Sequence, residues 1–167
     1  VNAERFQRLL VEYGAALQRL TAGYATEPAD REDLLQEIRV AVWHALPRFR
    51  DEASERTWLY RIAHNIAISA SMRRKRRREA PLSDRPDSSR TPEAEYSEHE
   101  RRSILIRAVR SLDGIDRQIM LLYLEGLSNG DIAEVVGFTE GAVATRLSRL
   151  RVRLAEQVGR EARCGRS

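Results

Sequence analysis

The chain has 167 residues, enough for one domain or two small ones. Its net charge of +4 and pI of about 9.7 admit a polyanionic partner without requiring one. A single cysteine, Cys164, excludes a disulfide framework, and no apolar run approaches the length of a membrane span. No signal peptide opens the sequence, so the expected place of action is cytoplasmic, with no membrane insertion. The basic side chains are almost all arginine, Lys75 being the one lysine. Arginine suits bidentate contacts to phosphate and guanine, but a GC-rich genome gives the same bias.

Apolar residues recur at helical spacing from end to end, and no alternating strand pattern persists. Phe6, Leu9, Leu10, Tyr13, Leu17 and Leu20 form the first stripe. A second helix is expected from Asp30, with Asp30 as its cap and Leu34, Ile38, Ala41, Val42 and Ala45 facing inward. It should stop before Pro47. A polar loop, Phe49 to Glu55, leads to a helix from Glu55 to Arg77 capped by Ser54, with Trp58, Ile62, Ile66 and Ala70 inward. That helix ends in six consecutive basic residues, Arg73 to Arg78. Proline, serine and charge then dominate residues 80–90, which read as a flexible linker. Thr91-Pro92 restarts helix as far as Ser111, with Tyr96, Ile104, Val109 and Leu112 inward.

Three shorter helices follow, from Ile115, Ser128 and Thr139. Ser128 and Asp131 make a box-like cap, Ala133 is small where two helices must cross, and Gly137 suits a left-handed turn. Ile132, Val136, Val143 and Leu147 can share one core. The last helix then exposes Thr145, Arg146, Ser148, Arg149 and Arg153. Arg146, Arg149 and Arg153 lie at i, i+3 and i+7 and share a face, with Arg151 off that line. This is the pattern of a helix-turn-helix whose second helix enters the major groove. A charged stripe alone would read as a solvated helix face; turn chemistry and core spacing together favour DNA.

On these residues the chain resembles bacterial sigma factors of the extracytoplasmic-function group of the sigma-70 family. Ser111-Leu112-Asp113 through Leu154 is similar to their region four. Glu32 to Glu37 followed by Trp43 resembles the polymerase-binding helix of region two, and Arg56 to Ala67 its promoter-melting helix. The resemblance implies an all-α fold of two small helical domains joined by a flexible linker: region two over residues 1–78, the linker over 79–92, and region four over 93–167. It also implies a non-catalytic subunit that directs core RNA polymerase to promoter DNA, with an anti-sigma factor as a further partner.

The resemblance implies three sets of site residues. Asp33, Leu34, Gln36 and Glu37 would meet core polymerase, although Leu34 and Trp43 read more readily as core. Arg50, Asp51, Ser54, Arg56, Arg61, His64, Asn65, Arg73 and Arg74 would handle the minus-ten element as single strand, which needs a pocket for an extruded base and a cationic track. Thr139, Thr145, Arg146, Ser148, Arg149 and Arg153 would read the minus-thirty-five element. Trp58 reads as core rather than as a stacking platform. Two residues depart from the common family pattern: Glu55, where an apolar residue is usual, and Ala144, where a basic one is.

No cofactor is expected. His64 has no second histidine or cysteine at ligand spacing, since His44 and His99 lie in other segments, so metal chemistry is set aside. A free-standing DNA-binding regulator would need a dimerisation or sensor segment, and none is visible. A nucleic-acid enzyme would need a metal cluster, a phosphate loop or a nucleophile with its base, and the sequence offers none.

Overall fold

The computed structural model describes residues 2–50, 53–79 and 98–164. They form seven α-helices: α1 (Asn2–Tyr24), α2 (Pro28–Ala45), α3 (Glu55–Glu79), α4 (Glu98–Arg110), α5 (Gly114–Leu124), α6 (Asn129–Val136) and α7 (Glu140–Cys164). A 3-10 turn, Leu46–Arg48, follows α2. No strand occurs among the described residues, and no helix there is long and apolar enough to cross a membrane. The linker and the restart at Thr91-Pro92, including Tyr96, lie outside the described residues, as does Asp51.

Local chemistry accounts for most helix ends. Ser54 accepts the Thr57 N–H at 3.0 Å, Asp113 the Asp116 N–H at 3.0 Å, and Ser128 the Asp131 N–H at 3.1 Å. Thr139 accepts from the Ala142 N–H at 3.3 Å. Each removes one of the orphan donors of a first turn. Gly126 and Gly137 close α5 and α6 at φ 77° and 75°, where a side chain would be strained. One expected cap is corrected. α2 begins two residues earlier, at Pro28, with Glu27 in the N-cap position and no side-chain cap. Proline needs no N–H partner in a first turn, so Asp30 is left inside that turn, where its charge meets the dipole.

The helices make two domains, α1–α3 and α4–α7, which pack against each other. α1 touches α4 and α5, and α3 touches α5 and α6. One cluster of buried side chains runs through both, from Leu17, Leu20, Ile38 and Val42 to Ile119, Leu122, Ile132 and Val143. At the junction Gly23 faces Leu121 so closely that an added methyl would lie 2.7 Å from the Leu121 side chain.

α3 shows why the inward face read from its sequence was incomplete. The fully buried residues are Leu59, Tyr60, Ala63, His64 and Ala67, while Trp58, Ile62 and Ile66 are half-buried. A helix flanked by partners on several sides has no single apolar stripe to reveal. α7 is the contrast. Its buried residues Val143, Leu147, Leu150 and Leu154 keep a strict stripe, because one face packs and the other meets water.

Candidate nucleic-acid interface

α7 stands at the C-terminal side of a helix-turn-helix. Ala133 accepts the N–H groups of both Gly137, at 2.9 Å, and Phe138, at 3.1 Å, which sets the turn. Ile132, Val143 and Leu147 are buried between α6 and α7, and Val136 is half-buried. Thr139, Thr145, Ser148, Arg149 and Arg153 are exposed. Thr145 is partly satisfied already, since its hydroxyl donates to the Gly141 carbonyl at 2.9 Å. Arg146 differs from its neighbours. It pairs with Asp116 at 2.6 Å and lies over the Phe138 ring at 5.3 Å. Arg151, off the main face, covers Tyr123 at 5.7 Å.

The second candidate surface is built at the start of α3. Phe49 and Trp58 meet at 4.8 Å, and Arg5 covers the other side of Phe49 at 4.7 Å. With Arg48, Arg50, Ala53 and Arg61 they line a cleft of about 140 Å³. Arg50 to Arg56 was the expected wall of a base pocket. Sequence reading missed Phe49 and assigned Trp58 to the core; the half-buried indole packs against that core and also lines the cleft. A pair of aromatics five residues before and four after the helix cap Ser54 was the available signal.

Glu55 now has a physical role. It accepts from Arg5 at 2.6 Å and Arg8 at 2.8 Å, tying α1 to the head of α3. Burial pushes its carboxyl pKa up, but the two arginines outweigh that and hold it below the usual value.

The remaining minus-ten candidates divide. Asn65 and Ser54 are exposed, although the Ser54 hydroxyl also caps α3. Arg56 donates to the Glu125 carbonyl at 2.5 Å, and Arg61 to the Glu134 carbonyl at 2.9 Å, with its carboxylate 3.5 Å away. Glu125 also receives Arg19 at 2.7 Å on each oxygen, and the Tyr60 hydroxyl at 3.5 Å. Desolvation, then the Glu125 charge, pushes the Tyr60 phenol up to about 12. Arg73 pairs with Glu37 at 2.6 Å, and Arg74 donates to the Tyr24 carbonyl at 3.2 Å.

His64 corrects the expectation that it lines a DNA track. It is wholly buried, with Nδ1 2.9 Å from the Tyr24 hydroxyl and Nε2 without a hydrogen-bond partner. Burial lowers its pKa to about 3, so the ring is neutral in the folded protein. Tyr24 of α1 and Tyr60 of α3 pack around the ring, with centroids at 5.7 and 6.4 Å.

On α2, Asp33, Gln36 and Glu37 are exposed, as expected of a docking face. Leu34 is corrected. At 1% exposure it belongs to the core, since it sits on the α2 face packed against α1 and α3. Val40 and Trp43 are instead 46% and 43% exposed, with Trp43 edge-on to Phe6 at 5.2 Å. The expectation that Trp43 belongs to the core is corrected by that exposure.

Comparison with known proteins agrees in both domains. The model of Sigma-70 region 2 matches residues 9–78, and that of Sigma-70 region 4 matches residues 102–154. The chain belongs to the sigma-70 family. Its relatives make it a sigma factor of the extracytoplasmic-function type. The sigma factor SigM of Mycobacterium tuberculosis is 28% identical over 92% of this chain and 77% of its own. The sigma-E factor of Escherichia coli is 29% identical over 94% of this chain and 88% of its own. Two solved structures share the fold. One is CnrH in complex with the cytosolic domain of CnrY, with TM-score 0.69 and 22% identity over 94% of this chain and 89% of that one. The other is the sigma factor RpoE of Bartonella quintana with the anti-sigma factor NepR, with TM-score 0.77 and 24% identity over 93% of this chain and 98% of that one. As a sigma factor the protein acts in transcription initiation, as a specificity subunit of RNA polymerase that is not itself an enzyme. Its partners are core polymerase and promoter DNA.

Proposed function

We propose that this sigma factor reads its promoter in two places, through a region-two domain over residues 1–78 and a region-four domain over residues 93–167. The observation that carries the reading is the exposed face of α7, where Ser148, Arg149 and Arg153 stand free beside Thr145 and Thr139. Short polar groups and arginine at this spacing suit base edges and phosphates of a minus-thirty-five element. Arg146 joins them only by leaving Asp116.

The minus-ten element is taken as single strand, with the Phe49–Trp58 cleft receiving a base, Arg50, Arg61 and Asn65 around it, and the Arg73 to Arg78 run holding phosphates. Asp51 and Ser54 are further residues assigned to the minus-ten element. Unstacking a base costs on the order of a few kcal/mol. Aromatic stacking of about 1–3 kcal/mol per base offsets it. Arg56 and Arg61 are engaged by the C-terminal domain, so this step requires the two domains to part. The 14 or so residues from Glu79 to Pro92 could extend about 45 Å. That exceeds one helical turn of duplex, roughly 34 Å, so one chain can hold both elements. Asp33, Gln36, Glu37, Val40 and Trp43 of α2 form the docking face for core polymerase. An anti-sigma factor is a further expected partner, since both structural neighbours are complexes with a second protein, in one case named as an anti-sigma factor.

In vitro transcription with purified core polymerase on a promoter-fragment library tests the reading. Starts should depend on this protein and share two spaced sequence elements. Starts that share no upstream element would remove the role assigned to α7.

A further inference from the structure

The junction of the two domains holds more positive charge than its structural duties require. α1 ends at Tyr24 with no basic residue in its last turn. Arginines from other elements meet its terminal carbonyls instead. Arg110 donates to Ala22 at 2.7 Å, Arg74 to Tyr24 at 3.2 Å, and Arg31 to Ala25 at 2.9 Å and Thr26 at 2.7 Å. Such capping offsets a helix dipole equivalent to only about half a negative charge. Yet Arg74, Lys75, Arg78, Arg110 and Arg117 all line one cleft of about 250 Å³ there, with Asp30 the only carboxylate among the described residues that line it.

The cations are poorly neutralised. Among the described residues, Arg74, Arg78, Arg110 and Arg117 have no carboxylate within ion-pair distance, and Lys75 has only Glu79 at 3.9 Å. Arg117 spends its terminal nitrogen on the Arg110 and Leu112 carbonyls at 2.7 and 2.9 Å, and its buried Nε has no partner. Burial, and then the charges of Arg31, Arg117 and Arg107, lower the pKa of Arg110. A cleft in which like charges repel and cations outnumber the carboxylates near them is complementary to an oxyanion. Its volume lies below the roughly 300 Å³ at which drug-sized pockets begin. It therefore suits a short phosphate chain better than a whole nucleotide.

We propose that this cleft binds a short polyphosphate, free or as the phosphate chain of a nucleotide whose base stays outside. Its oxygens would bridge Arg74, Lys75 and Arg78 of α3 to Arg110 of α4 and Arg117 of α5. Because the walls come from both domains, the site is complete only when they are packed together. A bound polyphosphate therefore favours the packed form by mass action and opposes the parting that promoter contact needs. The site rests on the packed junction and not on any promoter assignment.

The test uses the full chain and inorganic tripolyphosphate at fixed ionic strength, with sulfate as comparator, by calorimetric titration and thermal melts. One-to-one saturable binding is expected, with Tm rising roughly 5–10 °C near 100 times Kd. K75Q and R78Q lie on an exposed helix end and leave folding intact. Each should weaken tripolyphosphate binding at least about fivefold, and R110Q should do so from the other domain. The double variant R101Q/R102Q, which loses two positive charges where each single variant loses one, but on the exposed face of α4, should bind as the parent does. ATP binding alongside tripolyphosphate would identify a nucleotide as an acceptable source; tripolyphosphate alone would restrict the site to the free chain. Equal losses in R101Q/R102Q, or equal responses to sulfate, would reduce the effect to general charge and overturn the proposal.

Discussion

The two candidate DNA surfaces of this sigma factor are in opposite states. On α7 the side chains suited to bases are exposed, with Arg146 paired to Asp116 in its own domain and the Thr145 hydroxyl bonded to Gly141. On α3, Arg56 and Arg61 bond to Glu125 and Glu134 of the other domain, and His64 is buried beside Tyr24. The difference teaches that availability is decided by packing rather than by residue type. One candidate face is open while the domains are packed; the other is engaged by the neighbouring domain.

The largest expected effect tests the burial of His64. Its folded pKa of about 3 lies below the ordinary 6.5 of an unfolded histidine. The unfolded chain therefore takes up a proton that the folded one refuses. Stability from this group is complete above pH 6.5 and is lost as pH falls, by about 1.4 kcal/mol per unit. Between pH 6.5 and 4 denaturant melts should show a loss of about 3 kcal/mol that H64N lacks. A parent whose stability is flat there would mean that the ring is exposed, and the contrast between the domains would fail.

Next is the open face. R149A should cost about 1–3 kcal/mol at one upstream base pair, read by binding to single-base promoter variants, if Arg149 contacts guanine bidentately. A uniform loss across sequences would make it a phosphate contact. Releasing the occupied face comes third. E125A removes both Arg19 bonds and the Tyr60 bond but leaves the carbonyl that Arg56 uses. Arg19 is half-exposed, so the loss is about 1 kcal/mol. Small-angle scattering should then report a larger radius of gyration; an unchanged radius would show that apolar packing alone holds the domains. The smallest effect belongs to E134A. The Arg61–Glu134 pair is more than two-fifths exposed on both sides, and its loss should change stability by no more than about 0.5 kcal/mol.

Legibility in the sequence followed the range of the forces. The helix-turn-helix was readable because each part of it is local: Ser128 and Asp131 within one turn, Gly137 at a left-handed position, and Val143, Leu147, Leu150 and Leu154 in one stripe. The polar residues Asp33, Gln36 and Glu37 were readable as an exposed face, whereas Leu34, one residue away, turned inward. Phe49 escaped notice because its role depends on Trp58 and Arg5, which come from two different helices.

The amino-acid sequence by itself determined the helices, most of their caps, the all-α class and the exposed arginine face of α7. These depend on propensity, periodicity and hydrogen bonds closed within a few residues. Only the tertiary structure decided which arginines are free, why Glu55 is tolerated, and that His64 is core. Those outcomes turn on groups 40 to 106 positions apart in the chain, such as Tyr24 with His64 and Arg19 with Glu125. A charge or a ring has no fixed meaning until packing sets its partner and its access to water.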